Sequence, residues 1–295
     1  MRKFHDDIAP ASKRPSKKYR KRRSEQERLE KRIKKCMHTH KWHAKRFHMT
    51  LIENKWAVPL TANDKCFRAV HRSVNQGAYL EDISYWQCIQ INSSLREIAQ
   101  HFGKIILNSV EYSDMSNYPK EFQQQENDCW LYDKSQNLLG LVKVFIRQDI
   151  IWLWIHPRSF TQILEKLKPN LQTVIREDLC RFRLLGPQAK TKISKILELN
   201  QSCGGTTTII SLSNLSLSKF KESDENQEVL VVQVKGNWES GFGSGYDIII
   251  HKDYAFKYWL DLAHNKVHVG CLDSQEQLDV EIGRISSLRL CQDIL

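Results

Sequence analysis

Apolar and polar positions alternate along much of the chain in short blocks. CWLYD (129–133), LLGLVKVFI (138–146) and IIWLWIHP (150–157) are separated by turn-like DKSQN and RQD, which predicts an antiparallel meander. ISYWQCIQI (83–91) and CRFRLLG (180–186) carry the β-branched and aromatic content of strands. Helical spacing governs other stretches. CFRAVHRSVNQGAYL (66–80) stops at Gly77, and NSSLREIAQHFG (92–103) opens on capping residues and closes on Gly103. SFTQILEKLK (159–168) and PQAKTKISKILEL (187–199), with Pro187 at the first helical position, continue the series. Pro59 and TANDK (61–65) mark a turn, and residues 111–127 are polar and loop-like. The mixture of strands and helices predicts an α+β domain over 59–200.

Residues 201–228, rich in Ser, Thr, Gly and Asn, predict a flexible connection. Beyond it VLVVQVK (229–235), GYDIIIH (245–251) and FKYWLDLAHN (256–265) predict a second, smaller α+β piece within 229–295. At the other end, Pro10, Ser12, Pro15 and Ser16 interrupt a polar stretch, so residues 1–23 read as a disordered basic arm. From Ser24 the pattern changes. Ser24 with Glu27 forms a capping-box pattern, and Glu27–Lys31 and Glu30–Lys34 are favourable helical pairs. Leu29, Ile33, Cys36 and Met37 make a narrow apolar stripe. One long basic helix over about 24–50 follows, inside a basic helical segment spanning 24–58.

Charge sharpens this division. The 295 residues hold 45 Lys+Arg and 34 Asp+Glu, a formal net charge of +11. Residues 1–50 contain 18 of those bases and five of the acids, so the remainder is close to neutral. Lys13 to Arg23 holds eight bases and no acid. Such a block condenses onto a polyanion and releases counterions from its phosphates, and it would equally serve nuclear import. Lys17, Lys18, Arg20, Lys21, Arg22 and Arg23 are the expected phosphate contacts.

The longest apolar run, Ile150 to Ile155, is far short of the ~18 residues that span a bilayer, and no apolar stretch follows the charged amino end. A membrane-spanning or secreted protein is not expected. Eight cysteines are scattered singly, with no CxxC, as in chains from a reducing compartment that use thiols as small core hydrophobes.

THKWHAKRFHM (39–49) places Trp42 and Phe47 with His40, His43 and His48 among Lys41, Lys45 and Arg46. Aromatic rings and imidazoles stack on unpaired bases while cations hold phosphates. Zinc is the weaker reading, because no carboxylate or second cysteine completes a ligand set and the nearby cations oppose a dication. A buried structural cluster is the other alternative. Trp152 and Trp154 alternate with Leu153 and Ile155 and read as core, and His156 reads as structural. Dispersed carboxylates offer no paired-acid motif, so neither a catalytic nor a metal residue is expected.

THKWHAKRFHM, then Trp56-Ala57-Val58-Pro59 and KCFRAVHRSVNQGAYLEDISYWQCI (65–89), resembles the largest protein subunit of eukaryotic ribonuclease P and ribonuclease MRP. LLGLVKVFIRQDIIWLWIHP (138–157), RFRLLGPQAKTKISKIL (181–197) and GSGYDIIIHKDYAFKYWLDLAHNKVHVGCL (243–272) are similar to the same family. RAVHRSVNQGAYLEDISYWQCIQI also resembles the opening of the glycine-cleavage T-protein fold, which implies a T-protein-like α+β domain with antiparallel sheet.

The resemblance implies a non-catalytic RNA-binding scaffold in an RNA-based endoribonuclease of the nucleus and nucleolus. That enzyme removes precursor-tRNA leaders and processes precursor rRNA. The implied partners are the catalytic RNAs and other protein subunits, including an Alba-type heterodimer, with precursor RNAs met indirectly, no cofactor and no membrane. Trp42, His43, Lys45, Arg46, Phe47 and His48 would form the structured RNA contact. Family members are longer, and the second conserved region breaks off after Leu278-Asp279-Val280-Glu281, so a truncated form is expected. A folate-binding T-protein-like enzyme and a short regulatory RNA-binding product are the alternatives.

Overall fold

A computed structural model describes residues 35–53, 55–62, 67–93, 97–98, 100–102, 104–107, 110–112, 126–147, 150–169, 171–201, 229–237 and 239–283. The basic arm, residues 24–34 and the 202–228 connection lie outside them. Three sheets organise the described chain. A small one orders β1 (Lys35–Cys36), β3 (Trp56–Ala62) and β2 (Phe47–Ile52). A seven-stranded antiparallel sheet runs β11 (Thr173–Arg176), β5 (Gln87–Asn92), β10 (Ile150–Ile155), β9 (Leu138–Arg147), β8 (Glu126–Tyr132), β6 (Lys104–Leu107) and β7 (Val110–Tyr112). A five-stranded sheet orders β13 (Val229–Val234), β14 (Gly245–His251), β12 (Leu179–Leu185), β4 (Tyr79–Asp82) and β15 (His268–Val269). The expected meander is present as β8, β9 and β10.

Side-chain alternation assigns the layers. In β10, Ile151, Leu153 and Ile155 join a core beneath α3 (Pro157–Leu167), whose Phe160, Ile163, Leu164 and Leu167 face it. Trp152 and Trp154 point the other way, into a core shared with Leu230, Val232 and Ile249 of the five-stranded sheet. On that sheet's far face, Phe182, Leu184, Ile248 and Ile250 pack under α4 (Ala189–Gln201) and α5 (Lys252–His264). Two sheets thus lie face to face with helices outside. Among the described residues, α2 (Phe67–Gln76) ends at Gly77 as expected, and α6 (Leu272–Ile282) ends on Gly283 in the left-handed region. No helix of the described residues is long and apolar enough to cross a membrane.

Two expectations change. Residues 229–283 are not a second α+β piece: β14 pairs with β12 along its whole length and β13 extends the same sheet. Nor does the long helix reach residue 50. Lys35–Cys36 pair in parallel with Trp56–Ala57, only His40–His43 are helical, and Phe47–Ile52 pair antiparallel with β3. Sheet pairing and burial of Met37 and Phe47 outweigh the modest helical propensity of this stretch.

The face between the large sheets carries an ion network. Arg181, 1% exposed, donates from Nε to Asp247 Oδ2 at 2.8 Å and from Nη2 to Glu126 Oε2 at 2.6 Å. Arg183 donates from Nε to Asp247 Oδ1 at 2.9 Å and from Nη2 to Oδ2 at 3.0 Å. Burial pushes the Asp247 carboxyl up, but the two guanidiniums win and hold it well below the usual carboxylate range. Arg181 also lies 5.1 Å from the Trp154 ring. Since Glu126 belongs to one large sheet and Asp247 to the other, Arg181 ties the two.

His156 ends β10 and caps α3, its Nδ1 accepting from Arg158 N at 3.4 Å. Burial lowers its pKa to about 4, with Arg158 adding to the effect. The unfolded chain therefore takes up this proton near pH 6.5 and the native state only near pH 4. Native stability from this group is complete above pH 6.5 and drains as pH falls towards 4. Between pH 7 and 5 the contribution lost is about 2 kcal/mol. His156→Asn keeps a capping acceptor without a titrating ring, and urea unfolding at the two pH values should show it missing that loss.

Candidate nucleic-acid interface

The motif at 39–49 is a turn and strand clasped to the five-stranded sheet. Thr39, wholly buried, donates its hydroxyl to the Asp82 carboxylate, whose other oxygen accepts from Ser84 N at 2.9 Å. One helical turn follows, α1 (His40–His43), with Ala44 N donating to His40 O at 2.8 Å. Thr39 and Asp82 thus fix where that turn starts.

Its apolar side faces Trp259 of α5, which is itself fully buried. The His43 ring centroid lies 4.8 Å from that of Trp259, and the Trp42 ring meets Trp259 edge-on at 5.5 Å. Phe47 packs 5.7 Å from His43. His43 is wholly buried with Nδ1 3.2 Å from Thr39 O, and burial lowers its pKa while the Asp82 charge opposes that shift. The imidazole is neutral at pH 7 and donates from Nδ1.

The outward side carries cations. Lys41, Lys45, Arg46 and His48 are exposed. Arg46 stacks its guanidinium 4.3 Å from the half-buried Trp42 ring and donates from Nη1 to Trp42 O at 3.1 Å. A planar cation thus lies on an indole at the surface, flanked by two lysines, a geometry suited to phosphate oxygens or the face of a base.

The six residues expected here as a structured RNA contact therefore divide. Lys45, Arg46 and His48 are available at the surface, and Trp42 is available in part. His43 and Phe47 are not: both are buried, His43 against Trp259 and Phe47 against the His43 and Trp42 rings, which removes their apolar surface from water. Lys17, Lys18, Arg20, Lys21, Arg22 and Arg23 lie outside the described residues. The sequence reading missed Trp259 and Asp82, the two groups that hold the motif, and omitted Lys41 from the contact set. The Trp259 signal was available as an aromatic on the inward face of FKYWLDLAHN; nothing local linked it to residue 43.

Residues 2–94 match the family model described as "Ribonucleases P/MRP protein subunit POP1, N-terminal". The chain is 28% identical over 181 residues to the Caenorhabditis elegans "Ribonucleases P/MRP protein subunit popl-1", covering 52% of this chain and 22% of that protein. It is 28% identical over 171 residues to the Homo sapiens "Ribonucleases P/MRP protein subunit POP1", covering 49% of this chain and 15% of that one. The matched stretch thus spans less than a quarter of either relative. Among solved structures, the glycine cleavage system aminomethyltransferase T from Bartonella henselae superposes with a TM-score of 0.61 at 15% identity, over 85% of this chain and 63% of that one. The large-subunit resemblance and the T-protein-like α+β fold both stand on these matches, the second as fold alone.

Proposed function

From the match over residues 2–94 as premise, we propose that this chain acts as an RNA-binding protein subunit of ribonuclease P and ribonuclease MRP. In this reading it is a scaffold that braces the RNA while the RNA performs the cleavage of precursor tRNA and precursor rRNA, in the nucleus and nucleolus. The observation that carries the RNA contact is the surface of 41–48, where Lys41, Lys45 and the Trp42-stacked Arg46 stand together on a turn anchored from beneath. Anchoring matters because a cation already held in place loses little freedom on meeting a phosphate. The basic arm supplies further charge from sequence alone.

A Lys45→Glu/Arg46→Glu pair tests this. Affinity for ribonuclease P or MRP RNA should fall, and the slope of log K against log salt should shrink by about 1.5, the share of two phosphate contacts. Filter binding across a salt series reads both quantities. Equal slopes for the variant and the parent chain would remove this surface from the interface.

A further inference from the structure

A cavity of about 210 Å³ opens among β1, β3, the β4–β5 loop and the β11–β12 turn. Its walls are indole and thioether: Trp56, Trp86 and Met37, the last two nearly wholly buried. Its polar edge includes the half-buried Gln87, Arg176 and the exposed Glu177. That guanidinium is fixed, donating from Nε and Nη2 to the Asp178 carboxylate at 2.9 and 2.7 Å and from Nη1 to Gln90 Oε1 at 2.7 Å. Three of its five N–H groups are used in this way, which leaves two as donors. The thiol of Cys36 is exposed at the rim.

We propose that this cavity receives one unpaired nucleobase of an RNA held on the 41–48 surface, an inference that rests on the RNA-binding reading above. A base is a flat aromatic ring with hydrogen-bonding edges, and this slot offers aromatic walls with an amide and a fixed guanidinium at one side. The indole and thioether walls are polarisable but uncharged, and the Glu177 carboxylate shares the polar edge with Arg176, so the slot favours a stacked ring over a bare phosphate. His38 lines the cavity and the next residues enter the turn bearing Lys41, Lys45 and Arg46, so slot and cations belong to one continuous segment. Phosphates held by the cations would tether the strand to the segment that also lines the slot, and an extruded base of that strand enters it. The competing occupant is an aromatic side chain of a partner protein.

Two RNA hairpins, one fully paired and one with a single extruded uridine, separate the possibilities on the full chain. Alkylation of Cys36, read by mass spectrometry, serves as a footprint that needs no variant. The extruded base should protect Cys36 and raise affinity about tenfold over the paired hairpin, as one stacked base does. Trp56→Ala should erase that difference while leaving affinity for the paired hairpin and its salt slope unchanged. The Lys45→Glu/Arg46→Glu pair should weaken both hairpins together. Equal footprints and affinities for the two hairpins, with a normal salt slope, would overturn the base slot and leave the RNA-binding reading intact. Failure to bind either hairpin would overturn both. Protection by N-acetyl-tryptophanamide but not by the extruded base would overturn the slot in favour of a peptide side chain.

Discussion

Asp247→Ala should abolish the cooperative fold at 25 °C. The carboxylate is wholly buried and accepts from both Arg181 and Arg183, themselves 1% and 6% exposed. Removing it leaves two cations facing each other in the interior with Glu126 as the remaining partner of Arg181. Breaking one buried pair costs about 3–5 kcal/mol, and a whole domain is stable by about 5–15 kcal/mol. The variant should collect in the insoluble fraction, or show no thermal transition by circular dichroism. Asp247→Asn, which keeps the shape and one acceptor, should sit between. Replacing Arg181, Arg183, Asp247 and Glu126 together with apolar residues of similar volume should recover a transition, because the cost comes from unpaired charge rather than from lost attraction. A near-normal melting temperature for Asp247→Ala would show that solvent reaches the network.

Trp259→Ala is the second large effect, and it links stability to the proposed interface. The indole is fully buried and touches Trp42, His43 and Phe182 within 5.5 Å. Truncating it opens a cavity costing about 3–5 kcal/mol. The loss falls locally as well as globally, since the turn at 39–48 loses the surface it rests on. Trypsin should then cut after Lys41, Lys45 or Arg46 well before the rest of the described fold is attacked. RNA affinity should drop although no cation has been removed. Trp259→Phe, still aromatic, should retain most of the protection. If cleavage at 41–46 is as slow in Trp259→Ala as in the parent, another group holds the turn.

Legibility in the sequence followed the range of the interactions. The meander and the stop at Gly77 were visible because alternation and the poor helix propensity of glycine act within a few residues. The twin identity of Trp152 and Trp154 as core was visible for the same reason. Local reasoning failed where the deciding partner was distant. Lys35–Cys36 read as helix because the pattern around them is helical, yet the ladder with Trp56–Ala57 decided the outcome. His43 and Phe47 look like base-stacking residues in WHAKRF, but His43 packs on Trp259, more than two hundred positions on, and Phe47 packs on His43. Arg181 and Arg183, two apart in an apolar strand, signalled one polar inward face. Their partner, the lone acid inside GYDIIIH, lies more than sixty positions on and is fixed only by the β12–β14 pairing.

The pairing of β12 with β14 has a consequence for how the molecule is made. When the ribosome has delivered residues 1–200, β12 lacks its neighbour on one side and Arg181 and Arg183 have no Asp247. A nascent chain at that stage exposes an unpaired strand edge and two guanidiniums that cannot yet be buried. Consolidation must wait until residue 251 has cleared the exit tunnel, so the interval in which residues 201–251 emerge is the period in which this polypeptide most depends on chaperones.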